Sequence, residues 1–563
     1  MQDYNGIIAI FGLTLLLAIP LGKYISKVYN GDKNILDFMK PMERLIFRLS
    51  GIDPTKEMNW KQHLKALLRI NMVWFVYAMI MLLTQKYHFL NPDNNPSMSP
   101  HLAFNTAISF LVNCNLQDYS GETGASYLSQ VAVFQFLQFV SAATGMAALA
   151  VVFNALRQKT TDKLGNFYNY LVKSSTRILL PLSLLVAVIL VFNGTPQTFK
   201  GKTTLVTVQG DSSQVSRGPA ASMIAIKHIG TNGGGFFGAN SAHPFENPNY
   251  LTAMVELIAQ LIIPLALIFA LGYYLNRKKL AWLIFGVMTV GFMLLVIPTI
   301  RWEVNGNPEI AKLGIIQHGN MEGKEVRFGA ATSAYWSIET TIISTGSVNS
   351  FHDSFMPLSG MMQMLAMMIN SFYGGCGVGI LNYYIFLIIS VFISGLMVGR
   401  TPEFLGRKIE AKEVKIAVLI TLLASILVKG GTAVAAYIFT SNPAIHAGWL
   451  NNPTYHGFSE MLYQFTSAFA NNGSGFEGLG DNTPFWNIST GFVMILGRFL
   501  PIIGPVAIAG ILSQKKIVPE SAGTLKTDTI TFSVMTLAVI IIITALCFFP
   551  ALALGPLAEY FSM

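Results

Sequence analysis

The stretch Ile229-Gly-Thr-Asn-Gly-Gly-Gly-Phe-Phe-Gly238 is rich in glycine and small polar residues. Three other stretches, 112–121, 343–350 and 469–478, look like degenerate copies of it, and each follows an amphipathic helix. The copies align, with separations of 118, 113 and 127 residues, on Asn115, Gly233, Gly346 and Gly473. Such even spacing indicates fourfold duplication of one unit within a single chain. The sequence therefore predicts a pore lined by four loops.

The composition places these loops in a membrane. Of the 563 residues, 52% are hydrophobic and only 12% are charged, whereas soluble domains carry about 25% charged residues. Apolar runs near the roughly 20 residues that cross a bilayer predict ten spanning helices and no soluble domain. The runs lie around 6–22, 67–84, 130–155, 174–193, 251–275, 280–299, 361–398, 416–440, 488–512 and 528–550. The first run lacks a basic leader and a convincing cleavage site, so we interpret it as a membrane helix and not as a signal peptide.

The distribution of basic residues predicts the topology. Of the 37 Lys and Arg residues, 26 fall in alternate loops at 23–69, 157–177, 277–279, 400–415 and 515–526. Short basic loops stay on the cytoplasmic side, so both termini and the starts of the four motif loops are expected outside. The net charge of +9 is thus a topology signal with a possible attraction to anionic lipid headgroups. Nucleic acid is not an expected partner, because no binding module accompanies the basic residues.

Other classes of site find little support. The three cysteines, Cys114, Cys376 and Cys547, show neither a disulfide framework nor metal-ligand spacing. The Gly-x-Gly-x-x-Gly match at 233–238 lies between membrane helices without a βαβ unit, which argues against dinucleotide binding. A phosphate-loop-like Gly-Lys-Thr at 201–203 lacks its first glycine, since Pro196 occupies that place. We therefore expect no ATP site and no catalytic site in this chain.

The predicted fold is an all-α polytopic membrane protein with four helix–pore loop–helix repeats around a pseudo-fourfold pore. Its predicted parts are a flanking helix and cytoplasmic loop at 1–63, repeats at 64–156, 157–276, 277–400 and 401–514, and a second flanking helix at 515–563. Each repeat contains a short segment compatible with a pore helix, approximately at 101–111, 219–229, 333–343 and 457–469. Irregular backbone at membrane depth is tolerated where it is buried or lines a wet cavity, as four loops around one axis would do.

The loop chemistry suits a dehydrated monovalent cation. Potassium filters replace the hydration shell with rings of backbone carbonyls, which requires small residues that tolerate unusual dihedral angles. The predicted filter consists of Asn113, Cys114, Asn115, Thr231, Asn232, Gly233, Ser344, Thr345, Gly346, Asn471, Asn472 and Gly473. None of them is charged, so a carboxylate ring for divalent cations is not indicated. A single such loop would more simply be an extracellular turn, but four at similar spacing favour the filter.

Longer motifs identify a family resemblance. His-Ile-Gly-Thr-Asn-Gly-Gly-Gly-Phe-Phe at 228–237, Asn-Ser-Ala-His-Pro-Phe-Glu-Asn-Pro at 240–248 and Gly-Arg-Thr-Pro-Glu-Phe-Leu-Gly at 399–406 closely resemble the KdpA family. Matches at 115–122, 470–478 and 497–499 extend the resemblance along the whole chain. KdpA proteins are the potassium-binding subunits of bacterial Kdp potassium-transporting ATPases, in the superfamily of K⁺ transporters.

The resemblance implies a function in the bacterial plasma (inner) membrane. K⁺ is the expected transported ion; it would be captured outside at the filter and passed sideways to a P-type ATPase subunit, KdpB, which hydrolyses ATP. A single-helix subunit, KdpC, and a small peptide, KdpF, are the other expected partners. Two residues depart from the family pattern, Cys114 in place of Thr and Leu116 in place of Trp. Cys114 is tolerable if the ion meets its backbone carbonyl, whereas a need for the hydroxyl would put affinity in doubt.

Residues around the filter receive support roles by the same resemblance. Gln117 matches a position linked to ion affinity, and its alternative role is a hydrogen bond that braces the loop; Gly234 is a second support residue. Arg498, within the apolar run 491–512, matches an arginine below the filter, where it would repel K⁺ moving straight inward. The alternative for Arg498 is a buried salt bridge, with Glu256 as a candidate partner.

The run 361–398 is too long for one upright helix. Its 38 residues would make a helix of roughly 57 Å against a hydrocarbon core of roughly 30 Å, so it must tilt, break or extend. A glycine cluster in its middle permits a loop, formed by Gly374, Gly375, Gly377 and Gly379. Related K⁺ transporters have a gating loop in the corresponding helix, so we expect 371–379 to hinder passage to the cytoplasm. Close helix packing on small residues is the alternative.

Two other function classes stay open. A self-sufficient potassium channel or symporter of the Trk/Ktr/HKT type shares the fourfold plan but lacks the flanking helices and the quoted motifs. A non-conducting membrane scaffold or sensor predicts that changing Gly233 leaves K⁺ affinity untouched.

Overall fold

The computed structural model describes residues 2–518 and 526–563. Within these residues, ten helices are long and apolar enough to span a membrane, which confirms the predicted number. They are Tyr4–Asn30, Trp60–Leu83, Ser129–Arg157, Phe167–Phe192, Tyr250–Tyr274, Lys278–Lys312, Val378–Val398, Ala411–Ser441, Pro484–Ser513 and Ile530–Ser562. Several begin at a side-chain cap: Asn59 and Asn249 form capping boxes, and the hydroxyl of Thr483 accepts from a first-turn amide.

Some spans contain more than one helical segment. π-Helical turns at Ser129–Gln135 and Ser175–Leu179 precede the α-helices Phe136–Arg157 and Leu180–Phe192. Shorter α-helices are Lys40–Ser50, Gly121–Gly124, Phe167–Ser174, Pro308–Lys312, Pro357–Ile369 and Ala558–Ser562. Two antiparallel hairpins pair Thr203–Val206 with Ser212–Val215 and Glu403–Phe404 with Arg407–Lys408.

Four short pore helices lie between pairs of spanning helices, close to their predicted positions. They are Pro100–Leu111, Ala220–Ile229, Gly329–Ile342 and Tyr455–Ala470. At 1.5 Å per residue, such helices reach only roughly 15–24 Å and cannot cross a core of roughly 30 Å. Most of their side chains are buried, so they enter the protein and stop within it.

The predicted long run 361–398 breaks. Pro357–Ile369 ends at Asn370, whose φ of 42° is left-handed, and a new helix, Val378–Val398, starts after Gly377. The intervening segment, 370–377, is called the gate-position loop below. The run was expected to tilt, break or extend, and the structure shows that it breaks.

The first and last spanning helices pack outside the repeats. Gln2–Asn30 lies against Tyr250–Tyr274, where a methyl group placed on Gly22 would stand 2.5 Å from the carbonyl oxygen of Ala266. The last helix, Ile530–Leu552, packs on Lys278–Asn305 and Val378–Val398. Both therefore flank the pore as the sequence predicts.

The predicted cytoplasmic loops meet one another. Met58 donates its amide to the Gly165 carbonyl at 2.7 Å, and Thr161 donates to Ser513 at 2.9 Å. The Val518 amide donates to the Gly406 carbonyl at 2.8 Å. These contacts gather basic loops from distant parts of the chain at one end of the molecule.

Candidate functional site

The four loops share one backbone conformation. In each, φ is positive at the first and third of the three predicted filter residues but not at the middle one. The values are 65° and 54° at Asn113 and Asn115, 50° and 93° at Thr231 and Gly233, 50° and 81° at Ser344 and Gly346, and 53° and 97° at Asn471 and Gly473. Carbonyls alternate in direction along an ordinary strand, and a change of sign in φ at every second residue turns them towards one side. The common pattern makes the four loops structural equivalents.

The loops touch in cyclic order and close a ring. The third residue of one loop packs on the second-position carbonyl of the next, so closely that a methyl group could not fit. A methyl group on Gly233 would lie 1.8 Å from the carbonyl oxygen of Thr345. One on Gly346 would lie 2.0 Å from the carbonyl oxygen of Asn472, and one on Gly473 would lie 2.0 Å from that of Cys114. The fourth junction is different: Asn115 Nδ2 donates to the Gly234 carbonyl at 3.0 Å. Glycine is thus required at three positions by both φ and space.

Gln117 clamps the first loop to the second. Its Nε2 donates to the Gly235 carbonyl at 3.1 Å, and its Oε1 accepts the Gly235 amide at 2.9 Å. The Gly234 carbonyl also accepts from Gln138 Nε2 at 3.0 Å. Both polar atoms of the Gln117 amide are therefore engaged in bracing, the second of the two roles expected for it.

A buried ion pair supports the second loop from behind, and it was not predicted. Lys227 and Glu246 are both fully buried and form a salt bridge. Lys227 also donates to the Asn240 side chain, whose Nδ2 donates to the Gly233 carbonyl at 3.1 Å. Breaking a buried pair leaves an uncompensated charge, so this chain of contacts restrains Gly233 strongly. A lysine inside a mostly apolar pore helix was the available sequence signal.

The gate-position loop lies directly against the first-position residues. Cys376 donates its amide to Thr231 Oγ1 at 3.0 Å, and Ser344 donates its hydroxyl to Asn370 Oδ1 at 2.9 Å. The four predicted glycines are closely packed here: Gly374, Gly375 and Gly377 lie in the loop, whereas Gly379 lies in the first turn of the helix Val378–Val398. A methyl group added to Gly374 would lie 2.1 Å from Gly379 Cα, and one added to Gly375 would lie 3.3 Å from Thr231 Oγ1. A methyl group on Gly377 would lie 2.3 Å from the Gly145 carbonyl oxygen, and one on Gly379 would lie 1.9 Å from the Tyr373 carbonyl oxygen. We call this side of the ring the inner side.

Arg498 lies beside the same loop. It is buried, and its Nη2 donates to the Ser141 carbonyl at 3.1 Å. A methyl on Gly145 would be 3.1 Å from Arg498 Nη2 and 2.3 Å from the Cys376 carbonyl, so the guanidinium and the loop are neighbours.

The alternative considered for Arg498, a salt bridge with Glu256, is not what the structure shows. Across the described ranges 2–518 and 526–563, Arg498 forms no salt bridge, and Glu256 instead lies 3.6 Å from Nε2 of His228. The two residues are on helices that face different parts of the ring: Glu256 packs behind the second loop, whereas Arg498 faces the carbonyl of Ser141.

A polar cavity of about 300 Å³ opens on the other side of the ring. Three of the four third-position residues, Asn115, Gly346 and Gly473, line its floor, and Asp118, Glu477 and Asp481 belong to its walls. Both carboxylate oxygens of Asp118 are buried without a hydrogen-bond partner, and Asp481 accepts from Gln464 Nε2 at 3.2 Å. We call this cavity the vestibule. Sequence reasoning missed its acids, because they lie outside the four aligned triplets.

Burial changes the protonation of these acids. The pKa of Asp118 lies well above its usual value because of burial and then repulsion by Asp481. Burial raises the pKa of Asp481 to about 6 and that of Glu477 to about 8. The vestibule thus holds part of its negative charge at neutral pH and loses more of it on acidification.

Comparison with solved structures shows the fold. The potassium transporter TrkH from Vibrio parahaemolyticus is similar with a TM-score of 0.51 at 14% identity, over 89% of this chain and 98% of that one. The shared architecture agrees with the predicted class of four helix–pore loop–helix repeats.

Sequence comparison is far more specific. Proteins described as the potassium-transporting ATPase potassium-binding subunit are 68% identical in Flavobacterium johnsoniae and 58% in Phocaeicola vulgatus, each over 99% of both chains. The Geobacillus kaustophilus protein of that description is 46% identical over 98% of both chains. The sequence model of the KdpA family, described as the potassium-transporting ATPase A subunit, matches residues 8–561 of this chain. This chain, a multi-pass membrane protein, therefore belongs to the KdpA family.

Proposed function

We propose that this chain is the potassium-binding, channel-like subunit of an ATP-driven K⁺ uptake complex. The observation that carries the proposal is the closed ring of four loops with one alternating backbone conformation. The proposed ion ligands are backbone oxygens of the twelve filter residues: Asn113, Cys114, Asn115, Thr231, Asn232, Gly233, Ser344, Thr345, Gly346, Asn471, Asn472 and Gly473. The relatives are described as potassium-binding subunits, which supports K⁺ as the ion.

The ring suits K⁺ for electrostatic reasons. Its residues are uncharged, so backbone carbonyl dipoles provide the attraction for a dehydrated monovalent cation. A ring of carboxylates would bind the cation too tightly for it to leave again. Each pore helix ends close to the first filter residue of its loop, with at most one residue between them. The negative ends of four helix dipoles therefore converge on the inner side and favour a cation there.

The contacts beneath the ring support a blocked straight path. We assign gate and barrier roles to the gate-position loop and Arg498, because the loop touches Thr231 and Ser344 while the buried cation stands next to it. A cavity of about 50 Å³ beside Asn370 continues between Phe469, Pro501 and Cys547, and it gives a start for sideways transfer. A partner of the P-type ATPase class, KdpB-like, would receive the ion and hydrolyse ATP, accompanied by KdpC-like and KdpF-like subunits in the bacterial inner membrane.

The decisive experiment measures K⁺-stimulated ATPase activity of the co-purified complex. In Gly346→Ala, the added methyl would meet the Asn472 carbonyl, so the K⁺ concentration for half-maximal activity should rise at least about tenfold, or about 1.4 kcal/mol. Gly286→Ala is the matched control, because Gly286 lies on a spanning helix with open space around it. An unchanged K⁺ requirement in an assembled Gly346→Ala complex would reject the filter and favour the scaffold class.

A self-sufficient Trk-type channel is the second candidate, favoured by the fold similarity to TrkH. Liposomes that contain this chain alone separate the two. A subunit whose straight path is blocked should show little K⁺ flux, whereas an independent transporter should carry K⁺ without any partner.

A further inference from the structure

A second group of potential cation ligands lies away from the filter. Asp353, His456 and Glu460 each offer one ligand atom, and these atoms lie within 4.8 Å of one another. Asp353 lies in the turn after the third loop, and His456 and Glu460 lie in the first two turns of the fourth pore helix. The terminal helix Ala558–Ser562 adds Glu559, which contacts His456.

The carboxylates converge on a single point. A methyl group placed on Gly478 would lie 2.6 Å from Asp353 Oδ2 and 2.8 Å from Glu460 Oε1. Glu460 is fully buried, yet neither of its carboxylate oxygens has a hydrogen-bond partner. A buried carboxylate without a partner is costly, so the group must either take up a proton or have a cation beside it.

The imidazole is oriented as metal-bound histidines are. Nδ1 of His456 lies 2.9 Å from Glu559 Oε1, while Nε2 lies 2.9 Å from Asp353 Oδ1 on the side of Glu460. The ring also stacks on Phe476, with an interplanar angle of 6°. A histidine that ligates a metal typically donates its other ring nitrogen to a carboxylate, as His456 can to Glu559.

The charge balance points the same way. Among the described residues, His456 is the sole basic side chain within 4.0 Å of Asp353 or Glu559, and none lies that close to Glu460. The cluster formed by His228, Glu246 and Glu256 differs, because Lys227 already supplies a positive charge there. An ion triad of His456 with two acids would still leave Glu460 unpaired.

We propose that Asp353, His456 and Glu460 bind a divalent transition-metal ion of the Zn²⁺ or Mn²⁺ class, with Glu559 as a positioning residue for His456. One imidazole nitrogen with carboxylate oxygens suits such ions, whereas Mg²⁺ and Ca²⁺ prefer oxygen ligands alone. A polar cavity of about 390 Å³, lined in part by Asp353, His456 and Glu559, provides an entry path. The bound ion would link the turn after the third loop, which carries Asp353, to the fourth pore helix. It would also involve the terminal helix, through Glu559.

The test is a titration of the full purified chain, freed of any affinity tag and stripped with a chelator. Calorimetry should show one Zn²⁺ or Mn²⁺ bound per chain, with Mg²⁺ and Ca²⁺ at least about tenfold weaker. Glu460→Gln keeps the side-chain size and should weaken binding at least about tenfold, and Glu559→Gln should weaken it by about 10–100-fold. His318→Ala, which removes an exposed imidazole from another loop, should bind as the wild type does.

Thermal unfolding provides a readout for folded variants, since a ligand that binds the native state raises the melting temperature. Zn²⁺ should raise it in the wild type and in His318→Ala but not in Glu460→Gln. The absence of a stoichiometric site, or equal affinity in wild type and Glu460→Gln, would overturn the proposal in favour of a metal-free ion triad. Equal affinity for Ca²⁺ would overturn the assigned class of ion. None of these measurements depends on K⁺ transport.

Discussion

At the scale of single residues, the ring explains which side chains its backbone accepts. Left-handed φ costs a residue other than glycine of order 1–3 kcal/mol, and Thr231, being β-branched, is an unusual occupant at 50°. The hydrogen bond from Cys376 to Thr231 Oγ1 helps to hold this conformation. Asn115 replaces glycine without difficulty, because asparagine tolerates this region and its amide reaches the Gly234 carbonyl.

The role of Cys114 can be tested directly. Its carbonyl packs against Gly473, so we expect the carbonyl and not the side chain to meet the ion. Cys114→Thr should therefore leave the K⁺ concentration for half-maximal ATPase activity within about threefold of wild type, less than 1.4 kcal/mol. An improvement of tenfold or more would instead indicate that a hydroxyl at this position binds K⁺.

The vestibule acids predict a pH dependence. The pKa of Asp481 is raised to about 6, so its carboxylate gains a proton as the outer pH falls through that value. Glu477 in the same cavity, with a pKa raised to about 8, is already largely protonated there, and the pKa of the neighbouring Asp118 is raised as well. The apparent K⁺ affinity should thus fall between pH 7 and pH 5, measured as K⁺ uptake or K⁺-stimulated ATPase activity. Asp481→Asn should flatten the profile in this window. A profile as steep as that of the wild type would assign the effect to other groups.

At the scale of elements, the break between Ile369 and Val378 matters most, because it converts part of a spanning helix into a loop under the ring. A methyl on Gly377 would meet the Gly145 carbonyl at 2.3 Å and must displace this loop. We predict that Gly377→Ala raises passive K⁺ leak through the assembled complex in liposomes. Gly430→Ala, in an open part of another helix, should not. Loss of assembly without any leak would favour the packing alternative.

The barrier assignment of Arg498 makes a related prediction. Arg498→Gln removes the charge next to the gate-position loop while keeping a hydrogen-bond donor for the Ser141 carbonyl. Passive K⁺ leak should rise, whereas K⁺ binding measured in the absence of ATP should stay unchanged, because the ring itself is intact. If binding falls and leak does not change, Arg498 supports the structure and is not a barrier.

The second pore helix depends on its buried ion pair. Glu246→Gln would leave Lys227 charged and unpaired, at a cost of about 3–5 kcal/mol, so the purified chain should unfold at a clearly lower temperature. Glu309→Gln breaks the exposed pair with Lys312 and should change the unfolding temperature little. Similar effects of the two variants would contradict a structural role for the buried pair.

At the scale of the whole molecule, the predicted topology stays a prediction, and the ends of the helices offer a way to test it. The terminal helix Ala558–Ser562 packs beside the start of the fourth pore helix, on the vestibule side, whereas the end of the first helix at Asn30 receives a hydrogen bond from Arg157. A membrane-impermeant thiol reagent should thus label Ser562→Cys in intact cells. Lys163→Cys should react only after permeabilisation. The opposite pattern would invert the topology.

The sequence by itself determined the ten spans, the four pore helices and the positions of the four loops that share one backbone pattern. These features are local: an apolar run of the right length, or a Gly/Asn/Thr/Ser triplet after a short helix, carries the information within a few neighbouring residues. The predicted repeat boundaries, which no contact tests, stay a prediction.

Only the tertiary structure decided how these parts meet. The closure of the ring, the clamp of Gln117 on Gly235, the surroundings of Arg498 and the cluster around His456 join residues about a hundred or more positions apart, such as Asp353 and His456 at a separation of 103. Pairing over such distances depends on how whole helices pack. Glu256, the candidate partner in the alternative role of Arg498, lies beside His228 instead, because two charges inside the membrane say nothing about which neighbours their helices face.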